Sequence, residues 1–127
     1  MRRLTDAGIA FLTERHLASM TSILPDGRLH VVPVGFTWDG QIARVITNGP
    51  SRKARNMPGP VSLCQIDGRR WLTIEGRGSV SSDPARVADA VERYSARYRQ
   101  PRVNPTRVVI EIAVSSLMGS PEFFHPR

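Results

Sequence analysis

Residues 29–47 read LHVVPVGFTWDGQIARVIT. Two runs rich in β-branched and aromatic residues, Leu29–Trp38 and Ile42–Thr47, flank Asp39-Gly40. That dipeptide suits a type I′ hairpin, because glycine accepts the positive φ of such a turn without steric cost. Upstream, Leu17–Ile23 is a further strand, joined through Pro25-Asp26-Gly27, where proline presets φ and glycine closes the turn. Downstream, Val61–Ile66 and Trp71–Val80 flank Asp67-Gly68, and Gly76 and Gly78 inside the second of these point to a bulge. In Arg107–Ser115, Val108, Ile110, Ile112 and Val114 share one face, and Arg107, Glu111 and Ser115 share the other with Val109 and Ala113.

Six strands joined mostly by tight turns predict a mainly β fold of the α+β type: a six-stranded antiparallel barrel with two or three edge helices. Closure would remove the exposed edges that short strands otherwise leave. The helices follow from caps. Thr5 or Asp6 opens one that ends near His16, Ser51 caps a short one over Arg52–Met57, and Asp83-Pro84 starts the third. On that third helix Val87, Val91, Tyr94 and Tyr98 recur on one face, which predicts a core stripe. The tail from Gly119 is read as too short for another element.

The 127 residues suit a single domain over 1–127. The lone Cys64 excludes an internal disulfide and a cysteine-based zinc site, and suits a reducing compartment. The apolar stretch after Arg2 and Arg3 is interrupted by Thr5, Asp6, Thr13, Glu14 and Arg15, so neither a signal peptide nor a membrane span is expected, and a cytoplasmic location is. Acid–base and nucleophilic chemistry find little support. His16, His30 and His125 have no metal-ligand spacing, there is no G-x-S-x-G elbow, and the carboxylates fall in turns, caps and surface positions. No metal site and no catalytic residue is assigned, so a cofactor is expected to perform any chemistry.

Eighteen basic side chains against 11 acidic ones leave a net charge of +7, and seventeen of the eighteen are arginine. The exception, Lys53, lies in TNGPSRKARN, residues 47–56. There Arg52, Lys53 and Arg55 crowd the start of a short helix, whose free N–H groups and dipole already repel cations. A bound phosphate would neutralise both; a solvated basic turn is the alternative, and spacing alone does not separate the two. Arg93, Arg97, Arg99, Arg102 and Arg107 form a second basic region, interleaved with Tyr94 and Tyr98. Because those tyrosines fall on the apolar stripe and the helix also carries Asp89 and Glu92, a pocket for an anionic small molecule is a better reading than nucleic acid.

The stretches HVVPVGFTWDG, ARVITNGPSRKARNM, CQIDGRRWLTIEGRGSV and RYRQPRVNPTRVVIEI together resemble the pyridoxamine-oxidase-like flavin and deazaflavin oxidoreductases of the split β-barrel fold. The likeness is to their coenzyme F420-dependent branch in actinobacteria, and within it to biliverdin-reducing members. It implies a homodimer with cofactor grooves between subunits and hydride transfer from reduced F420 to a conjugated acceptor, with biliverdin a candidate. Ser51, Arg52 and Lys53, with Arg55 and Asn56 nearby, would hold the cofactor phosphate. The backbone of Val32, Pro33, Val34 and Gly35 would lie along the ring, with Thr47 and Trp71 lining the same groove. Arg97, Arg99 and Arg102 would meet the propionates of biliverdin. An FMN-dependent oxidoreductase of the same fold and a non-catalytic F420 carrier are the alternative readings.

Overall fold

The chain reverses at Asp39-Gly40 with Gly40 at φ +101°, but through the three residues Asp39-Gly40-Gln41 and not the expected type I′ turn, since Asp39 has no positive φ, and the strand before it breaks in two. In the computed structural model, which describes residues 1–127, β1 (Ala18–Ile23) is followed by β2 (Leu29–Val34) and then by a two-residue β3 (Thr37–Trp38). Four longer strands complete one antiparallel sheet: β4 (Ile42–Asn48), β5 (Gly59–Asp67), β6 (Arg70–Ser81) and β7 (Arg107–Gly119). The order across it is β2-β1-β5-β6-β7-β4-β3. The helices are α1 (Asp6–Phe11), α2 (Arg52–Arg55) and α3 (Pro84–Arg97).

The expected count of six strands is therefore corrected to seven, and the cause lies on α3. At the break, the Phe36 N–H donates to the Tyr98 hydroxyl at 3.2 Å, and the Phe36 carbonyl accepts from Arg97 Nη1 at 2.6 Å. These backbone groups are thus taken by a helix rather than by a neighbouring strand. Gly35 is needed here because a Cβ would lie 2.8 Å from Tyr94 Cε2 and 3.1 Å from Tyr98 Cε2.

The same break decides the shape of the sheet. Seven flat strands would span about 29 Å, yet the two edges are joined by three Cα steps, Val34 to Thr37, which reach at most about 11 Å. The sheet must curl until its edges share a corner. It does not close by hydrogen bonds, since β2 pairs only with β1 and β3 only with β4, so the expected closure is also corrected. The bulge falls between Glu75 and Gly76, where a Cβ on Gly76 would lie 2.1 Å from the Ala113 carbonyl oxygen.

Inside the curl, Phe11, Met20, Phe36, Val45, Leu63, Leu72, Ile74, Ile110 and Ile112 form the core of a 17-residue cluster. The tail does more than expected. Pro121–Phe123 makes a 3₁₀ turn, Phe123 stacks on Phe11 with ring centroids 4.7 Å apart, and Leu4 bridges to Phe124. Both phenylalanines are buried, so residues 119–124 cap the core.

Beside this cap, Arg70 donates to both carboxylate oxygens of Glu14, at 2.8 and 2.9 Å, and also bonds Asp67. The Arg70 hydrogen bonds, followed by that from His16, hold the Glu14 carboxyl at about 2 instead of 4.5. A folded-state pKa below the unfolded one contributes stability above about pH 4.5 that is lost as pH falls toward 2. Both side chains are over one-third exposed, so the effect is modest. In thermal melts across the acid range, Glu14→Gln should flatten the acid limb without altering the neutral plateau by more than about 1 kcal/mol.

Candidate functional site

At the corner where β2 turns into β3, a cleft of ≈ 330 Å³ opens between five elements and a loop. One wall is Pro33 and Val34 of β2 with Gly35 just beyond it; another is Ile46, Thr47 and Asn48 of β4. Lys53 of α2 and Tyr94 of α3 enter from the sides, and Pro101, Asn104 and Arg107 close the remaining wall. The loop is stapled in place: the Asn104 amide donates to Asn48, and the Gly49 N–H donates to the Thr106 carbonyl at 2.9 Å. Arg107 Nη2 donates to the Arg102 carbonyl at 2.6 Å, which holds the guanidinium at the cleft.

The electrostatics have one sign. Lys53 and Arg107 line the cleft, and no aspartate or glutamate does. Lys53 has no ion-pair partner, and burial pulls its ammonium below the ordinary lysine range. A partly desolvated cation without a counter-ion in a concave, carboxylate-free site is the physical signature of an anion-binding position. The cations themselves supply most of this field. Helix α2 is shorter than the expected Arg52–Met57, a single turn of four residues, so few peptide dipoles align behind it.

The expected site residues separate into three groups. Pro33, Val34, Gly35, Thr47 and Lys53 are brought together in the cleft. Behind them, Ser51 accepts from the Ala54 N–H at 3.3 Å and from Thr47 Oγ1 at 3.0 Å, which caps α2 and fixes the approach of the chain to Lys53. Val32 turns its side chain to the core. Arg52 is half-buried and Arg55 exposed, both outside the lining. Asn56 points away: its amide donates to Ser22 Oγ at 3.0 Å, tying α2 to β1.

Three arginines and a tryptophan complete the account. Arg97 is only 8% exposed, and its guanidinium donates to the Glu14 carbonyl at 2.8 and 3.0 Å, the Phe36 carbonyl at 2.6 Å and Gln65 Oε1 at 2.6 Å. Those bonds leave it no free edge for a carboxylate, so its expected substrate role is replaced by a structural one. Arg99 and Arg102 are exposed at the end of α3 and in the loop that walls the cleft. Trp71 pairs with Ile66 at the far end of the sheet. There β7 reaches Leu72 only at Gly119, whereas the cleft sits at Arg107. Twelve residues of strand separate the two, on the order of 40 Å, so Trp71 does not enter the cleft of its own chain.

Sequence reasoning missed Tyr94, Asn48 and Asn104 as lining residues and placed Arg107 only in a general basic region. The four-three-four spacing of Val87, Val91, Tyr94 and Tyr98 puts both tyrosines on one stripe, yet only Tyr98 is tied inward: its hydroxyl donates to the His16 carbonyl at 2.7 Å, and burial pushes its pKa up. Tertiary folding also gathers Glu14, His16 and Asp67 so that one ligand atom from each lies within 4.8 Å of the others. Arg70 occupies both carboxylates of that cluster.

A curled antiparallel sheet with a cationic, carboxylate-free cleft at its seam defines an anion-binding β-sheet class, and residues 4–118 match the family described as pyridoxamine 5'-phosphate oxidase. The chain belongs to this family. It is 53% identical over 122 residues to the F420H(2)-dependent biliverdin reductase of Mycobacterium tuberculosis, covering 93% of this chain and 89% of that protein. Among solved structures, an F420 reductase is 25% identical with a TM-score of 0.71, covering 86% of this chain and 94% of its own. The conserved hypothetical protein Rv2991 of Mycobacterium tuberculosis shares the fold with a TM-score of 0.76 at 21% identity, over 93% of this chain and 85% of its own.

Proposed function

We propose that the protein is an F420H2-dependent reductase that passes a hydride to a conjugated acceptor, with biliverdin the leading candidate. The observation that carries this reading is the unpaired, partly desolvated ammonium of Lys53 in a carboxylate-free cleft beside edge strand β2. It is supported by 53% identity to a reductase of that description.

The residues present fit an anionic deazaflavin. Lys53 and Arg107 hold the phosphate, with Arg52 and Arg55 adding field from the rim. Thr47 and Ser51 set the position of α2 through their shared hydrogen bond. As an edge strand, β2 leaves one row of backbone groups without a strand partner in this chain, and the stretch Val32–Gly35 offers that row to the planar ring. Pro33 suits this edge because it has no N–H to leave unpaired. When bound, reduced F420 supplies the hydride. The protein holds the two reactants in register and excludes water. Arg99 and Arg102 remain as exposed cations for the acceptor's carboxylates.

The proposal includes a homodimer, completing the split barrel. Cross-strand register places Leu29, Val31, Ile23, Ile66, Trp71 and Met118 on one outer face of β1, β2, β5, β6 and β7, and all six are exposed. They form two apolar groups, Ile23, Leu29 and Val31 at one corner and Ile66, Trp71 and Met118 at the other, with Ser19, Thr21, Ser62 and Thr73 between them; pairing two such faces would bury both groups and let Trp71 serve the partner's groove. The reducing cytoplasm suits the single cysteine.

Titrating F420 and FMN separately, with sedimentation on the same sample, tests this reading. Colourless protein that binds F420 at micromolar concentration and sediments as a dimer is the expected result. Tightly copurifying yellow FMN without F420 affinity would replace the reading with a flavin enzyme of the same fold.

A further inference from the structure

Tyr94 is the one ionisable group of the cleft lining besides Lys53 and Arg107. Its ring is half-buried, packed over Gly35 and tilted against Tyr98 with centroids 4.9 Å apart. Tyr98 spends its hydroxyl on His16 and Phe36, whereas the Tyr94 hydroxyl has no hydrogen-bond partner in the chain while its residue lines the cleft. The lining contains no Asp, Glu, His or Cys. Thr47 donates its hydroxyl proton to Ser51, a guanidinium such as Arg107 does not release protons, and Lys53 is the counter-ion of the bound phosphate.

We infer that Tyr94 is the proton donor for the acceptor, a role that rests on the reductase reading above. Hydride addition forms a C–H bond on the conjugated acceptor and pushes an electron pair onto one of its heteroatoms, while the cofactor leaves oxidised by two electrons. The Tyr94 O–H bond then breaks, its proton completes an N–H or O–H bond on the acceptor, and water reprotonates the phenolate. The absence of a side chain on Gly35 leaves the ring its place at the ligand face. The geometry needs only a hydroxyl there, so Tyr94→Phe removes the proton and keeps the packing.

The test compares wild type with Tyr94→Phe in three measurements: F420 affinity by fluorescence titration, transient F420H2 oxidation by biliverdin, and the same reaction with added imidazolium buffer. The expected result is F420 affinity within about 2-fold of wild type, oxidation slower by about 10²-fold, and partial recovery with imidazolium in the variant alone. External rescue is specific to a missing acid, because a misplaced ring or weakened cofactor site does not respond to it. A rate within about 3-fold of wild type, or a slow rate without buffer rescue, overturns the assignment. Should wild type bind F420 yet transfer no hydride to biliverdin, the acceptor reading falls and Tyr94 with it. Should it bind no F420, the cofactor reading has failed first.

Discussion

Replacing Lys53 with alanine is expected to weaken F420 binding by about 10- to 100-fold while leaving the folded protein as stable as wild type. Hydrogen bonds to a charged group are worth about 1.5–3 kcal/mol, and each 1.4 kcal/mol is tenfold in affinity. The fold loses little because Lys53 makes no ion pair, and burial already disfavours its charged form. Because the folded-state pKa lies below the ordinary value, carrying this charge costs stability at neutral pH. Lys53→Arg should restore part of the affinity, since a fork-shaped cation still meets phosphate but does not replace a compact ammonium atom for atom. Fluorescence titration beside a thermal melt reads both quantities. Equal affinity in wild type and Lys53→Ala would move the phosphate elsewhere.

Arg97→Ala has the opposite profile. It should destabilise the protein by about 3–5 kcal/mol, because three acceptors in or near the core lose a charged donor, at about 1–3 kcal/mol for each one left unsatisfied. Four hydrogen bonds are lost at once, and the Glu14 and Phe36 carbonyls and the Gln65 amide oxygen lose a donor in or near the core. The guanidinium also stacks over Phe36 and Tyr98, at 4.6 and 5.0 Å from their ring centroids. With the clamp gone, the Gly35-Phe36 corner loses its anchor on α3, and the cleft wall loosens with it. A large drop in melting temperature, with F420 affinity weakened less than in Lys53→Ala at temperatures where the variant is folded, is the expected pattern. A stable Arg97→Ala that no longer reduces biliverdin would return Arg97 to the substrate.

These two residues also show where the sequence was legible. Lys53 stood out because it is the one lysine among seventeen arginines, in a segment whose cap and break are local signals. The hairpin glycines were equally readable, since positive φ is a property of the residue: Gly27, Gly40 and Gly68 lie at +88°, +101° and +62°. Arg97 was not readable. An arginine near a helix end looks solvated, and nothing local announces that Glu14, Phe36 and Gln65 converge on it from three other parts of the chain.

The missing seventh strand has the same origin. The break at Gly35-Phe36 is imposed by Tyr94, Arg97 and Tyr98, about sixty residues away, while the local sequence simply continues as strand former. Likewise Phe123 and Phe124 looked like a tail until Phe11 and Leu4 supplied their partners. The cleft combines both cases. Pro33–Gly35 and Lys53 came from the family resemblance and the charge pattern, whereas Tyr94, Asn104 and Arg107 become neighbours only when α3 and the loop before β7 fold across the β2–β3 corner.

The most direct measurement of the central claim is anaerobic stopped-flow mixing of wild-type protein carrying F420H2 with biliverdin. The expected result is return of the oxidised F420 absorbance together with loss of the biliverdin band, at a rate proportional to protein and far above the protein-free mixture. F420 that stays reduced in the presence of biliverdin, quinone and enone acceptors would contradict it and leave a cofactor carrier in place of a reductase.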